Sequence, residues 1–272
     1  MKNLIGAVAA AAVLLGVGAA HAGKKNNSLT IALSEPVDGV AEFFSPSDES
    51  QLATRAVLDR VLSIDHEHGG KILPLLATSW KQVDSTTWDL TLRNDVKFHD
   101  GSAFDADDVV YTLNWAADPS VKMRLKNRFS WIAKAEKLGP TQVRIKTTEP
   151  NAVTLLRLAI GVPIVPSDYH KKFENKADFA YKPIGTGAYK AASVDRNTGI
   201  VLVPNENYIQ ANAVQPKGKI AKVTIKSIAD EQTRIAQMMV DNVDLTRVVS
   251  TDIGAEMKAD PRFAITAASI WN

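Results

Sequence analysis

The stretch Trp88-Asp89-Leu90-Thr91-Leu92-Arg93-Asn94-Asp95-Val96-Lys97-Phe98-His99-Asp100-Gly101-Ser102-Ala103-Phe104-Asp105-Ala106-Asp107-Asp108-Val109-Val110-Tyr111 changes periodicity twice. Trp88, Leu90 and Leu92 alternate with Asp89 and Thr91, which predicts a half-buried strand. His99-Asp100-Gly101 reads as a turn, with glycine supplying positive φ. Asp105 then sits where an N-cap belongs, ahead of a helix carrying Val109, Val110, Leu113 and Trp115. Asp107 and Asp108 fall in that helix's positive first turn, a better account of the pair than acid–base work.

The same grammar continues outward. Trp80 to Val83 is the expected hairpin partner of the strand, across the polar Asp84-Ser85-Thr86. Leu29 to Leu33 alternates as a strand ended by Ser34-Glu35-Pro36. Asp48 is expected to cap a helix with Gln51 three residues on and an apolar face of Ala53, Val57, Leu58, Val61 and Leu62. Downstream, Val143 to Thr147, Ile200 to Val203 and Val223 to Ile228 read as strands. Asn151 to Ile160 reads as a helix, and Val162 to Pro166 as extended. Pro183-Ile184-Gly185-Thr186-Gly187 reads as a turn, Asp230 as the cap of a helix, and Val243 to Leu245 as an extended piece. Strands and helices mix without strict alternation, so the expected class is mixed α/β.

The 272 residues are 45% hydrophobic and 23% charged, which argues against disorder and coiled coil. With 32 basic residues against 30 acidic ones and no basic stripe, a dedicated nucleic-acid binder is not expected. The chain has no cysteine, so disulfides, thiolate metal sites and thiol catalysis are excluded. The sequence lacks a phosphate-binding loop, a serine elbow and an H-E-x-x-H pair. His66-Glu67-His68 lies in a glycine-rich stretch that reads as a solvated turn before it reads as a metal site. His99 likewise reads as a turn residue before a general base. No catalytic residue, metal site or cofactor is expected, and an enzyme is not expected.

Residues 1–22 read as a signal peptide: Lys2, an apolar run from Leu4 to Ala20, then Ala20-His21-Ala22 as the small-x-small cleavage site. A soluble periplasmic protein without a lipid anchor is expected, meeting the membrane only through a partner.

Four ordered segments carry a family resemblance. The stretch from Trp88 to Tyr111 closely resembles the signature of family-5 extracellular solute-binding proteins, the peptide, dipeptide and nickel receptors of ABC importers. Leu73 to Trp80 resembles the family's approach to it. Pro183 to Tyr189 is similar to its Gly-Thr-Gly turn, with Ala188 in place of the usual proline. Val223 to Leu245 resembles the strand–helix–strand that follows. The resemblance implies a periplasmic-binding-protein-like II clamshell, here reduced to its N-terminal lobe. It divides the chain into a lobe core over 23–66 and 165–265, a small β-rich subdomain over 67–164, and the start of a hinge crossover over 266–272. The second lobe is expected to be missing, because family members are about twice as long.

The implied role is a peptide-binding component that works with ABC permease subunits, with a chelated metal such as nickel as the alternative ligand. A non-transporting remnant and, less favoured, a secreted hydrolase are the rival readings. Ser34, Glu35 and Phe44 occupy the loop after the first strand, where the family's ligands lie, although Phe44 packing under the next helix explains it equally well. Thr186 and Tyr189 lie by the family's cleft, but turn stabilisation and core packing are the stronger account. Arg128, Phe129 and Trp131 form a basic-aromatic cluster that belongs either to the cleft or to the subdomain surface.

Overall fold

A computed structural model describes residues 26–266 apart from 41, 42, 46 and 248. The signal peptide expected over 1–22, and all but the first residue of the crossover expected over 266–272, lie outside the described residues. The first half contains β1 (Ser28–Leu33), α1 (Asp48–Val57), β2 (Leu62–Asp65), β3 (Lys71–Pro74), β4 (Ala77–Asp84), β5 (Thr87–Leu92), α2 (Ala106–Ala117), β6 (Ile132–Gly139) and β7 (Gln142–Thr147). It is followed by α3 (Thr154–Ile160), α4 (Ser167–Lys171), β8 (Tyr189–Asp195), β9 (Gly199–Pro204), β10 (Lys222–Ser227), α5 (Glu231–Met239), β11 (Leu245–Thr246) and α6 (Thr251–Lys258).

Two sheets dominate. One runs β11-β1-β10-β9-β8, with β1 parallel to both of its neighbours and the β10–β9 and β9–β8 pairs antiparallel. The other is the antiparallel sheet β4-β5-β7-β6. The β2–β3 hairpin stands between them in the chain. The expected β4–β5 hairpin forms, with Trp80 opposite Leu90 and Gln82 opposite Trp88, and the Asp84 carboxylate accepts from Thr86 N to close its turn. One contiguous apolar core joins both sheets, from Ile31 and Leu33 through Leu90 and Leu113 to Ile145 and Ile200.

The α2 cap forms as expected. The Asp105 carboxylate accepts from Asp107 N at 2.7 Å, and Asp108 reaches back to Asp105 N at 3.1 Å. Asp108 does more than face the helix dipole. Its other oxygen accepts from Ser167 N at 2.7 Å, so a buried carboxylate joins α2 to the first residue of α4. Burial raises this carboxyl group's pKa, and the Ser167 and Asp105 N–H groups oppose the rise.

Three local expectations change. Ser47, not Asp48, caps α1: it is the last extended residue (φ −69°, ψ 130°), and its Oγ accepts from Ser50 N. The helix also stops at Val57 rather than running on to Leu62. Distant partners take over the backbone there. Val57 O accepts from Gly187 N, Asp59 O accepts from Ile164 N, and Leu62 is already in β2. Helical spacing persisted beyond the helix because Val61 and Leu62 face the same core. α3 starts at Thr154, not Asn151, because the Asn151 side chain accepts from Val153 N and holds 151–153 as a turn.

Candidate functional site at the carboxyl ends of the parallel strands

Strand β1 is the centre of the parallel part of the larger sheet. Its Ser28–Leu33 register runs beside Lys222–Ser227 of β10, and Ile31 and Ala32 pair with Leu245 and Thr246 of β11. Open α/β sheets bind ligands outside the carboxyl ends of such strands. The ends are fixed here: Ile228 N donates to Leu33 O at 2.8 Å, and Thr246 Oγ1 to Ala32 O at 2.9 Å. On the β10 side, buried Arg234 donates from Nη1 to Ile228 O and Ala229 O, both at 2.8 Å, and so locks the turn into α5.

Ser34 and Glu35 leave β1 at this edge, Ser34 half-buried and Glu35 exposed. The loop that follows is tied to the molecule. Val40 N donates to Ala180 O at 2.9 Å, and Asp38 N to Ser50 Oγ at 3.2 Å. Gly39 has φ +87°, and a Cβ there would lie 2.6 Å from Ala180 O, so only glycine lets the loop approach so closely. Phe43 is buried, edge-on to Trp115 at 5.0 Å and 5.5 Å from Phe129. Phe44 is only half-buried, 6.2 Å from Trp115.

The structure therefore brings the loop after β1 against the basic-aromatic segment through Phe43, a residue the sequence reading did not single out. Within that segment Phe129 and Trp131 are buried and Arg128 is exposed. The Arg157 guanidinium stands 5.8 Å from the Trp131 ring, a cation–π arrangement also missed in the sequence. Ser34, Glu35, Phe44 and Arg128 thus keep exposed surface, Phe44 while packed against the core, and Phe129 and Trp131 belong to the core itself.

Thr186 and Tyr189 are held elsewhere. Thr186 is buried and donates from Oγ1 to Asp59 Oδ2 at 3.0 Å. Tyr189 Oη accepts from Ile220 N at 3.1 Å. His99 clamps the Gly-Thr-Gly turn: its Nδ1 accepts from Gly185 N at 3.2 Å, its Nε2 faces Gly187 O at 3.1 Å, and its own N donates to Gly185 O at 2.8 Å. These partners assign a neutral ring protonated at Nε2. Burial pulls the His99 pKa down to about 4, with the Gly187 carbonyl opposing. Burial pushes the Asp59 carboxyl up to about 6, against the Thr186 hydrogen bond and the charges of Arg60 and Arg93. Asp59 and His99 gave no sequence signal as a pair of clamps, because their partners lie 127 and 88 positions away.

A separate groove of about 640 Å³ lies between the β4–β5 strand ends and residues 209–211, lined by Leu75, Thr78, Arg93, Thr141 and Ile209 among others. It contains none of the eight residues predicted from sequence. His66 and His68 sit in the exposed turn after β2, with His68 Nδ1 2.9 Å from the Asp65 carboxylate. Among the described residues no group of three or more His, Cys, Asp or Glu could hold a metal ion. No described helix is long and apolar enough to cross a membrane.

Residues 71–270 match the family described as bacterial extracellular solute-binding proteins, family 5 Middle. A nickel-binding periplasmic protein of Escherichia coli is 30% identical over 186 residues, 67% of this chain and 34% of that one. A glutathione-binding protein of Escherichia coli is 26% identical over 221 residues, 78% of this chain and 41% of that one. The chain therefore spans less than half the length of these relatives.

Among solved structures, NikZ from Campylobacter jejuni in complex with Ni(L-His) is 25% identical with a TM-score of 0.73, covering 87% of this chain and 46% of that one. The oligopeptide-binding protein AppA from Bacillus subtilis, in complex with a nonapeptide, shares the fold at 23% identity and a TM-score of 0.75, over 86% of this chain and 46% of that one. These neighbours carry the periplasmic-binding-protein type II fold that the resemblance implied, and each is covered by about half. By the match over 71–270, this chain belongs to the family-5 bacterial extracellular solute-binding proteins.

Proposed function

We propose that this chain supplies one ligand-gripping lobe of a periplasmic solute receptor that delivers oligopeptides or dipeptides to the permease of an ABC importer. The observation that carries this reading is the open loop that leaves the carboxyl end of β1. Ser34 is half-buried and Glu35 exposed directly after β1, and half-buried Phe44 lies further along the same glycine-anchored loop. An aromatic face suits an apolar peptide side chain, and open polar groups on the same loop suit peptide amides. Capture would proceed by closure of a second lobe over this surface, expelling water and pairing the ligand's polar groups. The lobe core is assigned to 23–66 and 165–265, and the inserted subdomain to 67–164. Residues 1–22 would direct export and be removed. The matched proteins are named as binding proteins, and this reading assigns no catalysis.

A second reading, capture of chelated nickel, is favoured by the likeness to the nickel-binding protein and to NikZ. Titration calorimetry of the purified chain with di- and oligopeptide pools and with nickel–histidine tests both. Peptide binding at micromolar strength, weakened by Phe44→Ala, is expected. Saturable heat from nickel–histidine alone would favour the second reading, and heat from neither would overturn both.

A further inference from the structure

The loop between α2 and β6 carries charge of one sign. Between Asp118 and Glu136 the chain has no acidic residue, yet it holds Lys122, Arg124, Lys126, Arg128 and Lys134, in a sequence whose net charge is only +2. Lys122, Arg124 and Arg128 are exposed, and none of the three has a hydrogen-bond or ion-pair partner among the described residues. Lys126 serves the fold instead. Its Nζ donates to Ala116 O at 2.9 Å and to Asp118 O, which caps the carboxyl end of α2. The Asp118 carboxylate accepts from Ser120 N and Ser120 Oγ, both at 2.8 Å, and so is engaged within its own turn.

Exposed lysines and arginines are common, and alone they mark nothing. Two features set these apart. The loop is held in one shape: Val121 and Met123 pack against the core between the cations, Val121 N donates to Asp118 O at 3.1 Å, and Arg128 N donates to Leu125 O at 2.9 Å at a 3-10 turn over Lys126–Phe129. Its two ends also meet at the loop after β1. Trp115, in the last turn of α2, and Phe129, directly after Arg128, lie 5.0 Å and 5.5 Å from the Phe43 ring. Half-buried Phe44 is 6.2 Å from the same Trp115. Residues 116–128 therefore spring from the aromatic base that anchors the candidate ligand loop. The exposed carboxylates of that loop, Glu35 and Asp38, come before Gly39, whereas Phe43 and Phe44 come after it.

We propose that the 118–128 loop is an anion-selecting rim of the ligand site, so that the peptides captured are those with acidic groups towards one end. This rests on the peptide reading above and narrows it. Three cations on a fixed loop raise the local concentration of anionic ligand and steer its approach. Arg128, next to Phe129, is the cation nearest the aromatic base along the chain. The carboxylates of Glu35 and Asp38 suit the opposite, amino end of such a peptide.

Titration calorimetry of the full chain with the matched peptides Ala-Phe-Glu-Glu and Ala-Phe-Gln-Gln tests this. The acidic peptide should bind about tenfold tighter at about 20 mM salt, and the gap should close to about twofold at about 0.5 M. Lys122→Gln, Arg124→Gln and Arg128→Gln combined should bring the two peptides to equal affinity. Should that variant not fold, the salt dependence of the wild-type preference decides. Equal affinity of the two peptides for the wild-type chain, a preference that salt does not weaken, or one that survives in the triple variant would overturn the rim and leave the peptide reading standing. Binding of neither peptide would overturn both.

Discussion

The loop region at the carboxyl end of β1 and the seam around Asp59 were both candidates for ligand contact, and they differ in where their polar atoms point. At the loop, Ser34, Glu35 and Phe44 retain exposed surface, as does Arg128, and the loop is anchored through buried Phe43 to Trp115 and Phe129. At the seam, Thr186, Tyr189 and His99 have their side-chain polar atoms bonded to protein partners. The lesson is general: a side chain whose hydrogen bonds close within the protein has little left to offer a ligand.

The sharpest way to break this contrast is to crowd the seam. In Gly185→Ala the new Cβ would stand 2.0 Å from Val57 O, a backbone atom that cannot yield cheaply. A stability loss of about 3 kcal/mol or more is expected in urea unfolding. A loss below about 1 kcal/mol would show that the turn is looser than described.

Next come the two buried titrating groups of the seam, which act in opposite directions. Asp59 has a folded pKa of about 6, above its ordinary 3.8, so its stability term is fully present below 3.8 and is lost as pH rises through 6. His99 has a folded pKa of about 4, below its ordinary 6.5, so its term is present above 6.5 and is lost as pH falls through 4. The two slopes oppose each other over pH 4–6. Asp59→Asn keeps an acceptor for Thr186 and should stabilise the chain by about 2 kcal/mol at pH 7 with little change at pH 3. It should also expose a steeper acid loss from His99 and from His170, another buried ring whose pKa burial lowers to about 4. His99→Gln mimics the neutral ring and should flatten the acid limb instead. Thermal midpoints measured from pH 3 to 8 check both variants, and a parallel shift at every pH would contradict the assignment.

The loop should respond more weakly in stability and more strongly in binding. Phe44→Ala removes a half-buried ring and should cost about 1 kcal/mol, against about 3 kcal/mol for buried Phe129→Ala. Comparison of their urea midpoints checks the difference. The smallest stability effect belongs to Glu35→Gln, which should leave the midpoint unchanged and alter ligand affinity alone.

The sequence made the local elements legible wherever their causes are local. The β4–β5 hairpin, the Asp105 cap and the Asp230 cap each rest on neighbours a few residues away. It failed where distant partners decide. α1 ends early because Gly187 and Ile164 claim the backbone around Val57 and Asp59. β6 drew no expectation because its Ala-Lys-Ala-Glu-Lys run is made of helix formers poor in β-branched and aromatic residues, although Ile132 and Ala135 face the core. The candidate site was half legible. Glu35 and Phe44 could be placed after β1, but the role of Phe43 as the link to Trp115 and Phe129 depends on tertiary packing.

The central claim is that ligand meets this chain at the loop after β1 and not at the seam. Calorimetric titration of peptides into the wild-type chain, Phe44→Ala and Asp59→Asn tests it most directly. The account predicts about a tenfold loss of affinity in Phe44→Ala and wild-type affinity in Asp59→Asn. Unchanged affinity in Phe44→Ala, or binding lost in Asp59→Asn while that variant remains folded, would contradict it.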